Sequence, residues 1–139
     1  MNKEGALTGI KVIDLTRVIS GPFCTLLLAD MGAEVIKIEP PKGDNVRNQG
    51  EFVDGYSSYF AQFNRNKKSV VLDLYQNEDK EKLKLLLKNA DVIVDNFRPG
   101  VLAKMGLDIR DPEFWANGLK SFEKMIDEAE QLSGELKNK

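Results

Sequence analysis

The chain has 139 residues, 42% of them hydrophobic and 30% charged, with a formal net charge of −2. It reads as one domain, short for a complete two-substrate enzyme and without the basic excess of a nonspecific nucleic-acid or membrane binder. With no histidine and a single cysteine, Cys24, imidazole-based triads, a zinc site and an internal disulfide are all excluded.

No stretch approaches the roughly 18–20 apolar residues of a membrane span. Residues 1–4 lead into the first strand without the apolar core of a signal peptide, so a reducing cytoplasm is the expected location. Residues 10–15 are a short β-branched run and predict that strand. Pro22 suits the first position of a helix, because its missing N–H would be unpaired there anyway. Residues 23–31 are apolar nearly all round, as in a helix packed deep against a sheet, and Gly32 marks its end. Residues 35–39 predict the second strand, stopped by Pro40 and Pro41.

Residues 40–68 form a long polar connection rich in Gly, Asn and Ser. A connection of that length is usually functional or partly helical. Tyr56, Tyr59, Phe60 and Phe63 predict a short helix within 54–63, with packing rather than ring stacking on a ligand as the expected use. The third strand is expected at 69–74, an amphipathic helix at 78–88, the fourth strand at 91–95 and a short helix at 101–105 closed by Gly106. From 111 onward, Asp111 and Pro112 start a further helix. Its apolar residues Trp115, Leu119, Phe122, Met125, Ile126, Ala129 and Leu132 recur at spacings of three and four.

Strands separated by helices imply parallel pairing with right-handed crossovers. The fold class is therefore α/β, a Rossmann-like parallel sheet with expected strand order 3-2-1-4 and helices on both faces. Residues 1–107 form this domain, and 108–139 carry the amphipathic helix, packed on it or on a partner. The turns at 18–22 and 95–100 should then open side by side at the carboxyl edge, at the switch point where open α/β sheets bind ligands. A phosphate-bearing small molecule is the leading ligand class, since a helix start offers unpaired N–H groups to an anion.

Neither turn is a dinucleotide fingerprint. Gly21 stands alone where a glycine-rich sequence would be needed, and the acidic Glu39 at the end of the second strand does not outweigh that. Arg65, Lys67 and Lys68, just before the third strand, are either a solvated basic loop or phosphate contacts. Arg98 and Lys104 could add to the same positive field. Asp14, Asp73, Asp91 and Asp95 are expected as turn or cap residues, because nothing visible pairs with them as acid and base.

In order, residues 7–16, 20–22, 32–40, 59–60, 64–69, 72–74, 90–92, 96–100 and 105–107 resemble the N-terminal part of the family III CoA-transferases, of the CaiB/BaiF type. The resemblance implies a domain that holds coenzyme A or an acyl-CoA as ligand. It implies contacts from Ile19 and Ser20, from Leu72, Asp73, Leu74 and Tyr75, and from Asn96, Phe97 and Arg98, with Lys104 as a further basic position. Pro40 and Tyr75 depart from positions that are often Arg and Lys in the family. The family's chemistry implies an aspartate that attacks an acyl-CoA thioester, then a mixed anhydride and an aspartyl-CoA thioester. That aspartate lies beyond the matched region and has no counterpart here, so no catalytic residue is assigned. The expectation is a CoA-binding domain inactive alone; the alternatives are an interaction module that kept the fold without the ligand, or an acyl-CoA racemase-like relative. No metal is expected, and a homodimer is left open.

Overall fold

The computed structural model describes residues 4–108. The amphipathic helix expected from Asp111 lies outside the described residues. The chain divides into two compact units, Met1–Arg98 and Pro99–Lys139.

In the first unit, β1 (Lys11–Asp14) is followed by α1 (Ser20–Asp30) and β2 (Glu34–Glu39). A 3-10 turn (Asn45–Asn48) and a small antiparallel pair, β3 (Phe52–Val53) and β4 (Tyr56–Ser57), come next. Then follow α2 (Ser58–Asn64), β5 (Lys67–Val71), α3 (Asn77–Leu87) and β6 (Val92–Val94). The main sheet is parallel, in the order β5-β2-β1-β6. Its numbering differs from the expected 3-2-1-4 because the hairpin β3–β4 falls inside a connection read as free of strands.

The crossovers decide where the helices lie. The steps β1 to β2 and β2 to β5 move in one direction across the sheet, and β5 to β6 moves back past both. Right-handed crossovers therefore put α1 and α2 on one face and α3 on the other. Ring packing across the first face agrees: Phe23 of α1 meets Phe63 of α2 edge-on at 6.5 Å, and Tyr59 meets Phe63 at 5.3 Å. The aromatics of α2 thus pack, as expected, whereas Tyr56 stands in β4 and is exposed.

Alternation along the strands gives this face two halves. Toward the amino ends, Val12 and Val35 join Ala29 and Ala33 in a buried apolar cluster, with Leu28 and Val94 against it. Toward the carboxyl ends, the same face carries Asp14, Lys37, Glu39 and Ser69, of which the first three are almost wholly buried. Parallel strands covered on both faces ordinarily read as continuous apolar runs. Here one half of a face is ionic.

Several element limits differ from the sequence reading. Helix α1 starts at Ser20, so Pro22 stands third in the helix, still within the first turn where no intrahelical acceptor is lost. Its burial is one-sided: Leu26 and Ala29 are in the core, while Phe23, Leu27 and Met31 are roughly half exposed. Strand β5 begins two residues before the expected 69 and ends at Val71, because Lys67 and Lys68 pair with β2 through their backbone. Gly32 leaves α1 at φ 102°, the left-handed stop that a helix end favours.

In the second unit, α4 (Val101–Lys104) starts after Gly100 and is closed by Gly106 at φ 73°. Among the described residues no helix is long and apolar enough to cross a membrane.

Candidate functional site

Strands β1 and β6 are neighbours and parallel, so the turns that follow them leave the same edge of the sheet. A reciprocal clasp joins them. The Arg17 N–H donates to Asn96 Oδ1 at 2.9 Å, and Asn96 Nδ2 donates to Arg17 O at 2.8 Å. The Arg17 guanidinium lies 5.1 Å from the centre of the Phe97 ring, within cation–π range. Phe97 N donates to Asp95 Oδ1 at 3.2 Å, an Asx turn that bends the chain out of β6. The expectation that the two turns open together therefore holds, and Arg17, which the sequence reading passed over, is the residue that joins them.

Within the first turn, Ile19 and Ser20 are exposed at the start of α1. That helix has no acid in its first turn and no side-chain cap, so its first N–H groups are open to an outside acceptor. Gly21 sits where a side-chain carbon would overlap Thr16, which keeps the helix start close to the turn. Val18 takes φ 71°, a left-handed conformation that costs a β-branched residue on the order of 1–3 kcal/mol.

Beneath the turn lies a buried polar network. Asp14 Oδ1 accepts from Thr16 N at 2.8 Å and from the Thr16 hydroxyl. Asp14 Oδ2 accepts from Thr25 Oγ1 at 2.6 Å and from Lys67 Nζ at 3.0 Å. Lys67 Nζ also donates to Pro22 O and Asn64 Oδ1. Burial pushes the Lys67 ammonium below the usual lysine range, against the opposing pull of Asp14. Lys37 Nζ donates to Thr16 O at 2.8 Å and pairs with Asp44 Oδ2 at 3.0 Å.

Glu39 closes the network on its far side. Its Oε2 accepts from Asp44 N at 2.9 Å and Arg47 Nε at 2.6 Å, and its Oε1 accepts from the Arg47 guanidinium and from Ser69 Oγ, each at 2.6 Å. Burial alone would raise the Glu39 pKa, but these donors outweigh it and hold the carboxyl at about 2. Arg47 in turn lies 3.7 Å from the centre of the Phe60 ring. With both carboxylate oxygens occupied inside the fold, Glu39 is not a ribose-binding acid.

The basic segment also resolves differently from the sequence reading. Arg65 pairs with Asp30 at 2.6 Å, Lys67 with Asp14, and Lys68 with Glu34. β5 starts at Lys67, so this segment enters the sheet at the amino end of its strand, away from the edge where the turns open. Its cations are paired within the chain, Lys67 in the core and Arg65 and Lys68 at the surface.

The remaining expected residues are spread out. The segment 72–75 follows β5 and leaves the same edge, but β2 separates it from β1, about 10 Å at normal strand spacing. Leu72 and Leu74 are core side chains, and the Leu72 N–H donates to Glu39 O at 2.9 Å, which leaves the Leu72 carbonyl and the Leu74 backbone for any ligand. Asp73 accepts from Tyr75 N at 3.0 Å, so it is a turn residue, and the Tyr75 side chain is exposed. Asp91 accepts from Lys11 N at 2.8 Å and is likewise structural. Arg98 is an exposed cation within the second turn, and Lys104 is exposed on the last turn of α4 in the second unit.

Residues 7–113 match the family described as CoA-transferase family III. A succinyl-CoA:mesaconate CoA-transferase of Haloarcula hispanica is 48% identical over 105 residues, covering 72% of this chain and 26% of that protein. The human succinyl-CoA:glutarate CoA-transferase is 45% identical over 113 residues, covering 80% of this chain and 26% of that one. A crystal structure of a CaiB/BaiF family protein from Brucella suis superposes with a TM-score of 0.73 at 39% identity, over 78% of this chain and 30% of that chain. The chain thus spans about a quarter of the length of these curated relatives.

Proposed function

The chain belongs to CoA-transferase family III, and from that premise we propose that it holds coenzyme A or an acyl-CoA along the carboxyl edge of its sheet. The observation that carries this reading is the Asn96–Arg17 clasp, which makes the turns after β1 and β6 a single surface at the switch point. On this reading Ile19 and Ser20 offer the open N–H groups of the α1 start to a phosphate. Asn96 and Phe97 shape the adjoining wall, and Arg98 supplies an exposed cation. The backbone of Leu72 and Leu74, with Asp73 and Tyr75, extends the surface beyond β2, a reach that an extended ligand can bridge. Lys104 joins the assignment on family resemblance alone.

The named relatives exchange CoA between carboxylic acids, and that is the reaction class to which this binding surface would contribute. Binding, not transfer, is the role assigned to these residues. The nucleophilic aspartate that the family's chemistry requires has no counterpart among them. A cytoplasmic location belongs to the same proposal.

Calorimetric titration of the folded chain tests it, with CoA, dephospho-CoA and NAD as ligands. The expected result is binding of CoA that weakens when the 3′-phosphate is absent, with NAD giving no heat. Asn96→Ala should weaken CoA binding by about tenfold, because both hydrogen bonds of the clasp are lost. Its unfolding midpoint should stay near that of the parent, since Asn96 is exposed. A folded sample that gives no heat with CoA overturns the reading.

A further inference from the structure

Among the described residues, three non-glycine residues adopt positive φ, namely Val18, Asp54 and Asn66. Asp and Asn visit the left-handed region readily, but valine does not. Something must hold Val18 there. Four side chains act on the backbone of residues 16–18. Asp14 accepts the Thr16 N–H, and Asn96 takes both backbone groups of Arg17. Lys37 Nζ donates to Thr16 O at 2.8 Å, and Asp44 Oδ2 accepts from Val18 N at 3.4 Å. The last two form an ion pair of 3.0 Å with both side chains 1% exposed.

This pair stands out for where it comes from. Lys37 occupies an inward position of β2, two residues after Val35, where an apolar side chain would fill the same layer. Asp44 belongs to the connection after β2 and is itself fixed at its N–H by Glu39 Oε2 and at Oδ1 by Val46 N. A buried ion pair is a weak source of stability compared with apolar packing. What this one adds is a link from β2 and its connection to both ends of the strained turn. Neither side chain reaches the surface, so neither can touch a ligand.

We infer that Lys37 and Asp44 are positioning residues, whose buried ion pair holds Thr16, Arg17 and Val18 in the backbone conformation that the ligand meets. The effect on affinity rests on the CoA-binding role proposed above for this turn; the hold on the turn does not. Through it, the connection after β2 tunes a binding surface it does not line.

The test uses the whole chain and two readouts. Asp44→Asn alone leaves Lys37 buried without its counter-ion and can fail to fold, so Lys37→Met/Asp44→Asn is made beside it. The double variant keeps the site neutral and fills the lysine's volume, but removes the ammonium that fixes residue 44 against Val18 N. In the ligand-free protein, the Val18 amide should exchange with solvent at least about tenfold faster in the double variant, while the Leu26 and Ala29 amides of α1 stay unchanged. CoA affinity should fall about tenfold at an unchanged unfolding midpoint. Adding Val18→Gly should recover about threefold of that loss, because glycine takes a positive φ without strain.

Unchanged Val18 exchange in a folded double variant overturns the inference. Faster exchange with CoA affinity unaltered overturns its link to binding. If the parent chain itself does not bind CoA, the function proposed above fails, and the exchange readout alone still decides whether the pair holds the turn.

Discussion

Asp14→Ala is expected to cost about 3–5 kcal/mol and to unfold a large fraction of the chain at neutral pH. The Asp14 side chain is wholly buried and accepts from Thr16 N, the Thr16 hydroxyl, Thr25 Oγ1 and Lys67 Nζ. Its removal leaves the Lys67 ammonium, 2% exposed, with only the neutral oxygens of Pro22 and Asn64. Burial already lowers the Lys67 pKa, and losing Asp14 removes the charge that opposes that shift. With the folded-state value below the unfolded one, the unfolded chain binds more protons, so stability rises with pH in that window. The deficit of Asp14→Ala should therefore narrow as pH climbs toward the ordinary lysine range. Pairing the change with Lys67→Met should recover most of the loss. Urea midpoints for the parent, the single and the double variant measure both effects; a single variant as stable as the parent would show that the pair is incidental.

The second large effect is acid sensitivity at Glu39. Its folded-state pKa is about 2, below the ordinary carboxylate value, because the donors from Arg47, Ser69 and Asp44 outweigh burial. The stabilisation is complete above the unfolded value near 4.5 and is lost as pH falls from there through about 2. Allowing for screening at the partly exposed Arg47, the contribution is on the order of 2 kcal/mol. Glu39→Gln should be less stable by that order at pH 7 and lose less on acidification below pH 4.5. Denaturation midpoints followed from neutral to acid pH should converge for the two proteins; parallel curves would assign the acid sensitivity to other groups.

The α/β succession was legible because its signals are local. β-branched runs, Gly32 and Gly106 mark element limits within a few residues, and the handedness of crossovers does the rest. The hairpin was not legible from its strands, which are two residues each. Its signal was the Asp54-Gly55 pair, both at positive φ, which is the dipeptide a tight hairpin turn requires. The two candidate turns were found by their place after strands. The residues that hold them were not, since the Asn96–Arg17 clasp joins positions 79 residues apart. Lys67 and Lys68 were read as loop because charge suggests solvent, and only the tertiary fold reveals that Lys67 is neutralised by Asp14. Lys37 carried a hint that went unused: an ammonium at an inward-facing position of a strand needs a partner somewhere.

The Asp14–Lys67 contact closes 53 residues of chain, whereas the apolar cluster around Val12, Ala29 and Val35 needs only the first strand, helix and second strand. Assembly thus has a built-in order. The amino half of the first face can gather through short-range contacts, while Asp14 stays hydrated until β5 arrives and its lysine closes the loop. The edge that presents the candidate turns is a part of the first unit whose completion depends on contacts between residues 53 and 79 positions apart. A nascent chain released before β5 would hold a core but no finished turn.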